Sequence, residues 1–259
     1  MRLLIFAFCC FISPLLYAQE NYEIQVYGSP TMTRRQTMFE LHSNYTATGN
    51  TDFVNGLIPA NHSIHETIEI THGITDNFEL GFYLFTNYSP NHGWEIIGSH
   101  IRPRIAAPEK WKLPVGLSLS AEIGWQKSEY AAETFSMELR PIIDKTIGKF
   151  YFCLNPTLGF AFQGTDINTS PAFAPNIKTS FAASSKYSIG MEYYGDLGPL
   201  KQFEKLPQQN HAIFVVADLY TNPLWEVNFG PGFGLTEATD KLVLKLIVGR
   251  RIDWSKKHT

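Results

Sequence analysis

The stretch SIHETIEITHGITDNFELGFYLFT, Ser63 to Thr86, consists of two alternating runs around a short centre. In the second run apolar side chains occupy every second position, at Phe78, Leu80, Phe82 and Leu84. A period of two is typical of a β-strand. The centre, Gly-Ile-Thr-Asp-Asn, is rich in residues that tolerate turn dihedrals. The stretch therefore predicts a β-hairpin with one apolar face and one polar face that carries carboxylates.

The same alternation recurs along most of the chain. From Val115 to Trp125 it continues for the 9–11 residues that a tilted membrane-spanning strand needs. Further alternating runs follow within residues 135–144, 150–162, 173–181, 187–193, 213–219, 225–235 and 242–254. Together with residues 37–48 and the hairpin, they predict an all-β fold. We expect an antiparallel up-and-down transmembrane β-barrel of about 12 strands over residues 37–254.

Two details of the barrel can be predicted from individual residues. In the fourth strand, Ile97, Ile101 and Ile105 are expected to face outward, against Gly98, His100, Arg102 and Arg104. Pro103 lies in that strand and predicts a local irregularity, because proline cannot donate a ladder hydrogen bond.

The connections between the predicted strands alternate in length. Those after even-numbered strands are short, whereas those after odd-numbered strands, such as Asn87 to Gly93, are mostly longer. Bacterial barrels have short periplasmic turns and longer extracellular loops, so we expect both termini on the periplasmic side. Tryptophans at strand ends are typical of the aromatic girdles at the two membrane interfaces; they are Trp94, Trp111, Trp125, Trp225 and Trp254.

The first residues have the composition of a secretory signal peptide. Arg2 precedes an apolar core, and Ala18 is the expected last residue removed, which gives a signal peptide over residues 1–18. Residues 19–36 are interpreted as a periplasmic lead-in at the barrel mouth, and residues 255–259 as a short C-terminal tail. Cys153 would then be the single thiol of the mature chain, so no internal disulfide is expected.

The composition narrows the class of protein. Charged residues are only 17% and aromatic residues 14%, which suits a protein that presents rings to lipid. A net charge of -3 argues against a nucleic-acid partner. A secreted β-sandwich or jelly roll is the alternative, since its strands also alternate. The acids lie in the middle of the strands, opposite apolar rows, and this favours the barrel. We expect the outer membrane of a Gram-negative bacterium as the location, with its lipid as the main partner.

Charged and polar side chains are predicted to line the barrel interior. Two interpretations remain open: a structural network of ion pairs that fills the barrel, or a narrow pore whose selectivity these groups set. In the second case the arginines would hold an anionic group. The predicted lumen residues are Glu40, His42, His65, Glu69, Glu79, Tyr83, His100, Arg102, Arg104, Glu122, Glu138, Arg140, Lys178, Glu192, Asp218, Glu226 and Lys245.

Enzymatic and metal-binding functions find less support in the sequence. A barrel hydrolase needs a serine within reach of a histidine, but Ser43 and Ser99 adjoin His42 and His100 on opposite faces of their strands. The histidines show no helical metal-ligand spacing. We therefore predict neither an enzyme, nor a metal site, nor a cofactor.

Several motifs resemble a group of uncharacterised Gram-negative outer-membrane barrels. They are EIQVYGSPT, NHSIHETIEITHGITDNFELGFYLFT, HIRPRI, EYYGDLGP, WEVNFGPGFGLT and IVGRRIDW. The pattern E-I-x-x-G-I-T-D-x-F-E-L-G of the hairpin also resembles the transporter-like barrels associated with the meta-cleavage pathway of phenol degradation. These resemblances imply a barrel and the passage of small, hydrophobic molecules, and they carry over no catalytic residue.

The expected function is a narrow channel or transporter for small solutes with a lumen of Glu, Arg and His side chains. The alternative is a non-conducting barrel with a structural role or with long loops that bind a partner.

Overall fold

The computed structural model describes residues 21–53, 56–164, 167 and 170–255. The predicted signal peptide, residues 1–18, lies outside the described residues. So do residues 19 and 20 of the predicted lead-in and all but Ser255 of the predicted tail.

Twelve antiparallel strands form one closed barrel in sequence order. β12 pairs with β1 from Gln36↔Asp253 to Thr48↔Leu242, so the sheet has no open edge. The predicted fold class is thereby confirmed. The strands are β1 (Gln36–Thr48), β2 (Ile64–Thr75), β3 (Phe78–Ser89), β4 (Gly93–Ala106), β5 (Gly116–Gln126), β6 (Phe135–Ile147), β7 (Phe150–Gln163), β8 (Ala172–Ala182), β9 (Tyr187–Asp196), β10 (Asn210–Leu219), β11 (Trp225–Gly234) and β12 (Leu242–Asp253).

The alternation of the sequence separates the two faces of the sheet. In β3, Leu80 and Phe82 are exposed on the outside, whereas Glu79 and Tyr83 are buried inside. The inside therefore holds most of the buried polar groups, and the outside holds exposed Phe, Leu, Ile and Trp. This inverts the pattern of a water-soluble protein and matches a barrel whose outer face is solvated by lipid.

The two rims of the barrel differ in the connections they carry. We call the rim with the β2–β3, β6–β7 and β8–β9 turns the turn end; β1 begins and β12 ends there. The opposite rim, with the β1–β2 and β9–β10 connections, is the loop end. One expected long loop at this rim is short. β3 continues to Ser89, which pairs with Gly93, so only residues 90–92 connect the two strands.

The predicted geometry of β4 is wrong at Ile97 and is confirmed at Pro103. Phe85 pairs with Gly98 and Thr86 with Ile96, so a bulge at Ile97 turns this side chain inward, where it is fully buried. At Pro103 the register with β3 continues through the Leu80↔Pro103 pair, but the pairing with β5 stops at Ile101↔Ile123 and resumes only at Arg104↔Ser120. β4 therefore has an interruption at the proline, on the side of β5, and a separate bulge near the loop end.

Residues 21–35 run through the barrel and emerge at the turn end, and we call them the luminal segment. At the loop end, the Asn21 carbonyl accepts a hydrogen bond from Asn44 Nδ2 (2.8 Å). At the turn end, the Arg34 amide donates to Asp76 Oδ1 (3.2 Å). The segment thus runs the length of the lumen. Its apolar side chains are buried against inward-facing residues such as Ile142 and Phe214; they are Tyr22, Ile24, Val26 and Tyr27.

A glycine allows the luminal segment to leave the barrel close to the wall. A Cβ on Gly73 of β2 would lie 2.1 Å from the Thr33 carbonyl oxygen, so no larger residue fits without displacing the backbone. The chain then turns into β1 at Arg35, whose φ is 66° and whose amide donates to the Gly73 carbonyl (3.0 Å). Within the described part of the chain, no helix is long and apolar enough to cross a bilayer.

Candidate functional site

The predicted lumen residues lie on the interior face of their strands. Glu138 and Glu226 are half-buried, and the others are buried. Burying so many charges away from water is costly unless each finds a partner. Their contacts form two clusters, one around arginines of β4 and β6 and one around lysines of β8 and β12.

Arg102 is the centre of the first cluster. Its Nη2 lies 2.6 Å from Glu69 Oε1 and its Nη1 lies 3.0 Å from Glu79 Oε1. Its Nε donates to the Tyr83 hydroxyl. Arg104 adds a second pair to Glu79, at 2.7 Å. These groups come from β2, β3 and β4, which are neighbours in the barrel, and they balance two carboxylates with two guanidinium groups.

The luminal segment contributes Tyr27 to this cluster. The Cζ atoms of Arg102, Arg104 and Arg140 lie 4.8, 5.6 and 5.2 Å from the centroid of its ring, a range in which cation–π attraction is expected. Its hydroxyl donates to Glu23. Its backbone is held by Asn155, which accepts from the Tyr27 amide (2.8 Å) and donates to the Tyr27 carbonyl (3.0 Å).

Arg140 connects the luminal segment to β6. Its Nη1 lies 3.2 Å from Glu23 Oε1 and its Nη2 lies 2.6 Å from Glu138 Oε2. Its Nε is buried and has no hydrogen-bond partner among the described residues. The Nε of Arg104 also lacks hydrogen-bond geometry, but it lies 2.7 Å from Glu79 Oε1. Nη1 and Nη2 of Arg104 donate to the carbonyls of Gly28 and Pro30, so Arg140 is the less committed of the two.

The second cluster is built from lysines. Lys178 Nζ lies 3.0 Å from Glu192 Oε1 and 2.8 Å from Asp218 Oδ1. Lys245 pairs with the other oxygen of Glu192. Tyr194 also donates to Glu192 (2.7 Å), and Asn228 donates to Asp218 (2.7 Å). These groups satisfy one another, which is how a buried ionic network avoids uncompensated charge.

The buried histidines differ in their surroundings. His100 Nδ1 lies 2.7 Å from Glu122 Oε1, and His42 Nε2 lies 3.3 Å from Glu69 Oε2. His65 Nε2 lies 3.3 Å from Thr46 Oγ1, and the Tyr22 ring meets His65 edge-on at 4.8 Å.

A cavity of about 280 Å³ lies between the luminal segment and the wall formed by β6 to β9. Polar groups on its lining include Glu23, Glu138, Arg140 and Asn176, and apolar groups include Met137, Phe160 and Phe162. The cavity also reaches Asn210 and Pro199 at the loop end, and its inner part ends at Arg140 and Ile24.

Two residues of the site, and the main-chain partner of a third, were not predicted from the sequence. Tyr27 and Glu23 belong to the expected lead-in, where no pattern indicates a place inside the lumen. Asp144 accepts from the Ser29 amide (2.7 Å) and from the Tyr151 hydroxyl (3.0 Å). The alternation places Asp144 inside, but its partner comes from a segment more than a hundred positions away.

A carboxylate outside the membrane-spanning strands holds the luminal segment at the loop end. Asp240 accepts from Asn21 Nδ2 (2.5 Å) and from the Asn50 amide (3.0 Å). Burial raises the pKa of Asp240 above its ordinary value of 3.8, and these two hydrogen bonds offset part of the rise.

The serines considered for a hydrolase lie on the outer face. Ser43 donates to Glu66 Oε1 (2.7 Å) on the outside of the barrel, whereas His42 is fully buried inside. The sheet separates the two side chains, so they cannot form a nucleophile and base pair.

A closed antiparallel barrel with an apolar outer face and a charged interior is an outer-membrane β-barrel, and its location is the cell outer membrane. Solved structures with this fold include an outer membrane channel from Pseudomonas putida F1, with a TM-score of 0.64 and 12% identity over 89% of this chain and 100% of that one. The NanC porin has a TM-score of 0.55 and 6% identity, over 82% of this chain and 97% of that one. The KdgM porin has a TM-score of 0.53 and 10% identity, over 82% and 98%.

At these identities the likeness concerns the fold alone. No protein-family model and no curated protein matches the chain.

Proposed function

We propose that the protein is a narrow channel for small solutes in the outer membrane, with both termini on the periplasmic side. The observation that carries the proposal is the cavity beside the luminal segment, which is lined by both charged and apolar side chains and reaches the loop end. The outer face is apolar and the inner face is charged, as in barrels that enclose an aqueous path. The likeness of the fold to an outer membrane channel and to two porins supports the same function.

The luminal segment makes the path narrow. Tyr27 lies at the centre of the lumen between three guanidinium groups, and solutes must pass it. A barrel of this size leaves room for side chains and limited water. We therefore propose a low conductance that increases when the segment loosens.

Among the arginines, Arg140 is the group that meets the solute. Arg102 is committed to Glu69, Glu79 and Tyr83, and this favours a structural role. Arg140 lines the cavity and keeps its Nε without a partner among the described residues. A positive charge at a narrow point attracts anionic groups. The proposed solute is small and carries a polar or anionic group.

The resemblance of the hairpin to barrels of phenol degradation extends the proposal to small aromatic solutes. Met137, Phe160 and Phe162 give the cavity an apolar side that suits a ring. Uptake of phenol into proteoliposomes loaded with a phenol-responsive dye tests whether small aromatic molecules pass through the barrel. Uptake of phenol above that of protein-free vesicles is expected, and equal rates would exclude the aromatic solute.

Single-channel recording in planar bilayers tests the proposal. The wild-type protein is expected to conduct, and Arg140→Ala is expected to lower anion over cation permeability by about several-fold, because a charge at the constriction is removed. Arg250→Ala is the matched control. Arg250 stacks on Trp225 at 4.9 Å and is exposed, so its loss should leave the selectivity unchanged.

A second candidate function is a non-conducting barrel that presents its loops. The observation in its favour is the same luminal segment, which is held at both rims and in the middle. Folded protein, recognised by its heat-modifiable mobility in gels, that shows no conductance would exclude the channel and leave this function.

A further inference from the structure

Two carboxylates face each other across the first two strands. Glu40 of β1 is the register partner of Glu69 of β2, and both side chains point inward. Like charges directly opposite each other in a sheet repel. Glu69 Oε1 is compensated by Arg102, at 2.6 Å. Its other oxygen, Oε2, lies 3.3 Å from His42 Nε2 and 3.3 Å from the Tyr27 hydroxyl.

Glu40 has no such compensation. The residue is only 8% exposed, and its Oε1 has no hydrogen-bond partner among the described residues. The space beside it is kept open by Gly249, where a Cβ would lie 2.9 Å from Glu40 Cγ. A buried carboxylate oxygen without a donor is costly.

His42 completes the group from the next inward position of β1. The residue is fully buried, and its Nδ1 has no partner among the described residues. Its Nε2 lies 3.3 Å from Glu69 Oε2, outside hydrogen-bond geometry, and forms no hydrogen bond with any described residue. One donor atom from each of Glu40, His42 and Glu69 lies within 4.8 Å of the others.

The donor set and the spacing fit a metal ion. One imidazole nitrogen and two carboxylate oxygens suit zinc and its first-row neighbours better than calcium or magnesium, which prefer oxygen alone. Tetrahedral Zn²⁺ with bonds of 2.0–2.1 Å places its donors about 3.4 Å apart. Small side-chain rotations would bring the three atoms from within 4.8 Å to that separation.

We propose that Glu40, His42 and Glu69 form a binding site for one divalent first-row transition metal ion such as Zn²⁺ on the inner wall of the barrel. The ion supplies the positive charge that Glu40 lacks, and it gives a partner to a Glu40 oxygen and to one of the two unsatisfied nitrogens of His42. It also joins β1 to β2 beside the luminal segment, since the Glu69 oxygen that binds it lies 3.3 Å from the Tyr27 hydroxyl.

The test uses the full chain refolded in detergent and stripped of metal with a chelator. Zn²⁺ titration by calorimetry should show one equivalent bound by the wild type. Co²⁺ should give visible absorption bands whose intensity indicates the coordination geometry. Glu40→Gln and His42→Ala should each weaken Zn²⁺ binding by about 100-fold or more, because loss of an outer-shell partner alone costs 10–100-fold.

Two controls separate this site from other donors of the protein. His72→Ala removes a histidine of β2 that bonds Thr37 (2.8 Å), and Glu66→Gln removes a carboxylate from the outer face of the same strand. Both should bind Zn²⁺ like the wild type.

Two results would overturn the proposal. The first is no stoichiometric binding by the folded wild type. The second is binding that survives both Glu40→Gln and His42→Ala in variants shown to be folded by their heat-modifiable gel mobility.

Discussion

Arg102 is 1% exposed and forms ion pairs with both Glu69 and Glu79. The two carboxylates come from neighbouring strands, so one guanidinium joins β2, β3 and β4 on the inside of the barrel. Desolvation of such groups is expensive, and the network compensates it only while every member is present. At the scale of single residues, the interior is therefore a set of mutually dependent charges.

Arg102→Ala should destabilise the barrel by about 3–5 kcal/mol, because it leaves two buried carboxylates without their partner. Arg102→Lys should lose less, since the ammonium keeps the charge but not the forked geometry. Urea unfolding in detergent or lipid, followed by tryptophan fluorescence, measures both. A loss below 1 kcal/mol for Arg102→Ala would show that the pairs contribute little.

Asp240 gives a prediction about pH. Its pKa is higher in the folded protein than its ordinary value of 3.8, so the folded state binds the proton more tightly than the unfolded chain. The contribution of Asp240 to stability is thus greatest below about pH 3.8 and is lost as the pH rises through its folded pKa. Unfolding free energies of the wild type minus those of Asp240→Asn should therefore fall between pH 3 and pH 7. A difference that rises over this range would contradict the assignment.

At the scale of elements, the luminal segment is the feature that distinguishes this barrel from an open cylinder. It is held at the loop end by Asn44, in the middle by Asn155 and at the turn end by Asp144. Each anchor is an inward-facing side chain that bonds main chain of the segment. A strand would be held by the backbone hydrogen bonds of its neighbouring strand. The luminal segment is held instead by single side chains that bond its main chain.

Asn155→Ala should loosen the middle of the segment. The change removes both hydrogen bonds to the Tyr27 main chain, and each is worth about 1 kcal/mol. Amide exchange at Tyr27 should accelerate by about 5-fold or more, measured by hydrogen–deuterium exchange with mass spectrometry.

Asn176→Ala is the matched control for this prediction. Asn176 pairs with Asn155 across β7 and β8 but is only half-buried, and it lines the cavity. Its loss should leave the exchange at Tyr27 unchanged. Equal protection in both variants would mean that packing of the Tyr27 ring, and not Asn155, holds the segment.

At the scale of the whole molecule, closure between β1 and β12 removes every edge and leaves lipid as the solvent of the outer face. Phe82 and Phe78 lie on the same outer face of β3, the first near the middle of the strand and the second at its turn end. This pair offers a test of depth within one strand.

Phe82→Arg should cost about 2–4 kcal/mol in a bilayer, whereas Phe78→Arg should cost about 0–1 kcal/mol, because a charge near the interface reaches water. The measurement is reversible unfolding from phospholipid vesicles. Similar costs for both variants would place the apolar band elsewhere on the barrel.

The alternation of apolar and polar residues determined the strands, their number and the face of nearly every side chain. This prediction is possible because a strand places successive side chains on opposite faces, so a local sequence pattern is enough to assign each side chain to a face. It failed at Ile97, where a bulge adds one residue to β4 and reverses the faces beyond it. Nothing near Ile97 in the sequence indicates that bulge.

The tertiary structure alone decided what the interior residues do. Which carboxylate meets which cation depends on strand register and on barrel closure, and both join residues that are distant in the sequence. Glu40 and His42 are two positions apart, but their third partner, Glu69, becomes a neighbour only when β1 pairs with β2. The place of residues 21–35 inside the lumen depends likewise on contacts with most of the barrel wall. The sequence of residues 21–35 has no sustained alternation, and it therefore does not indicate those contacts.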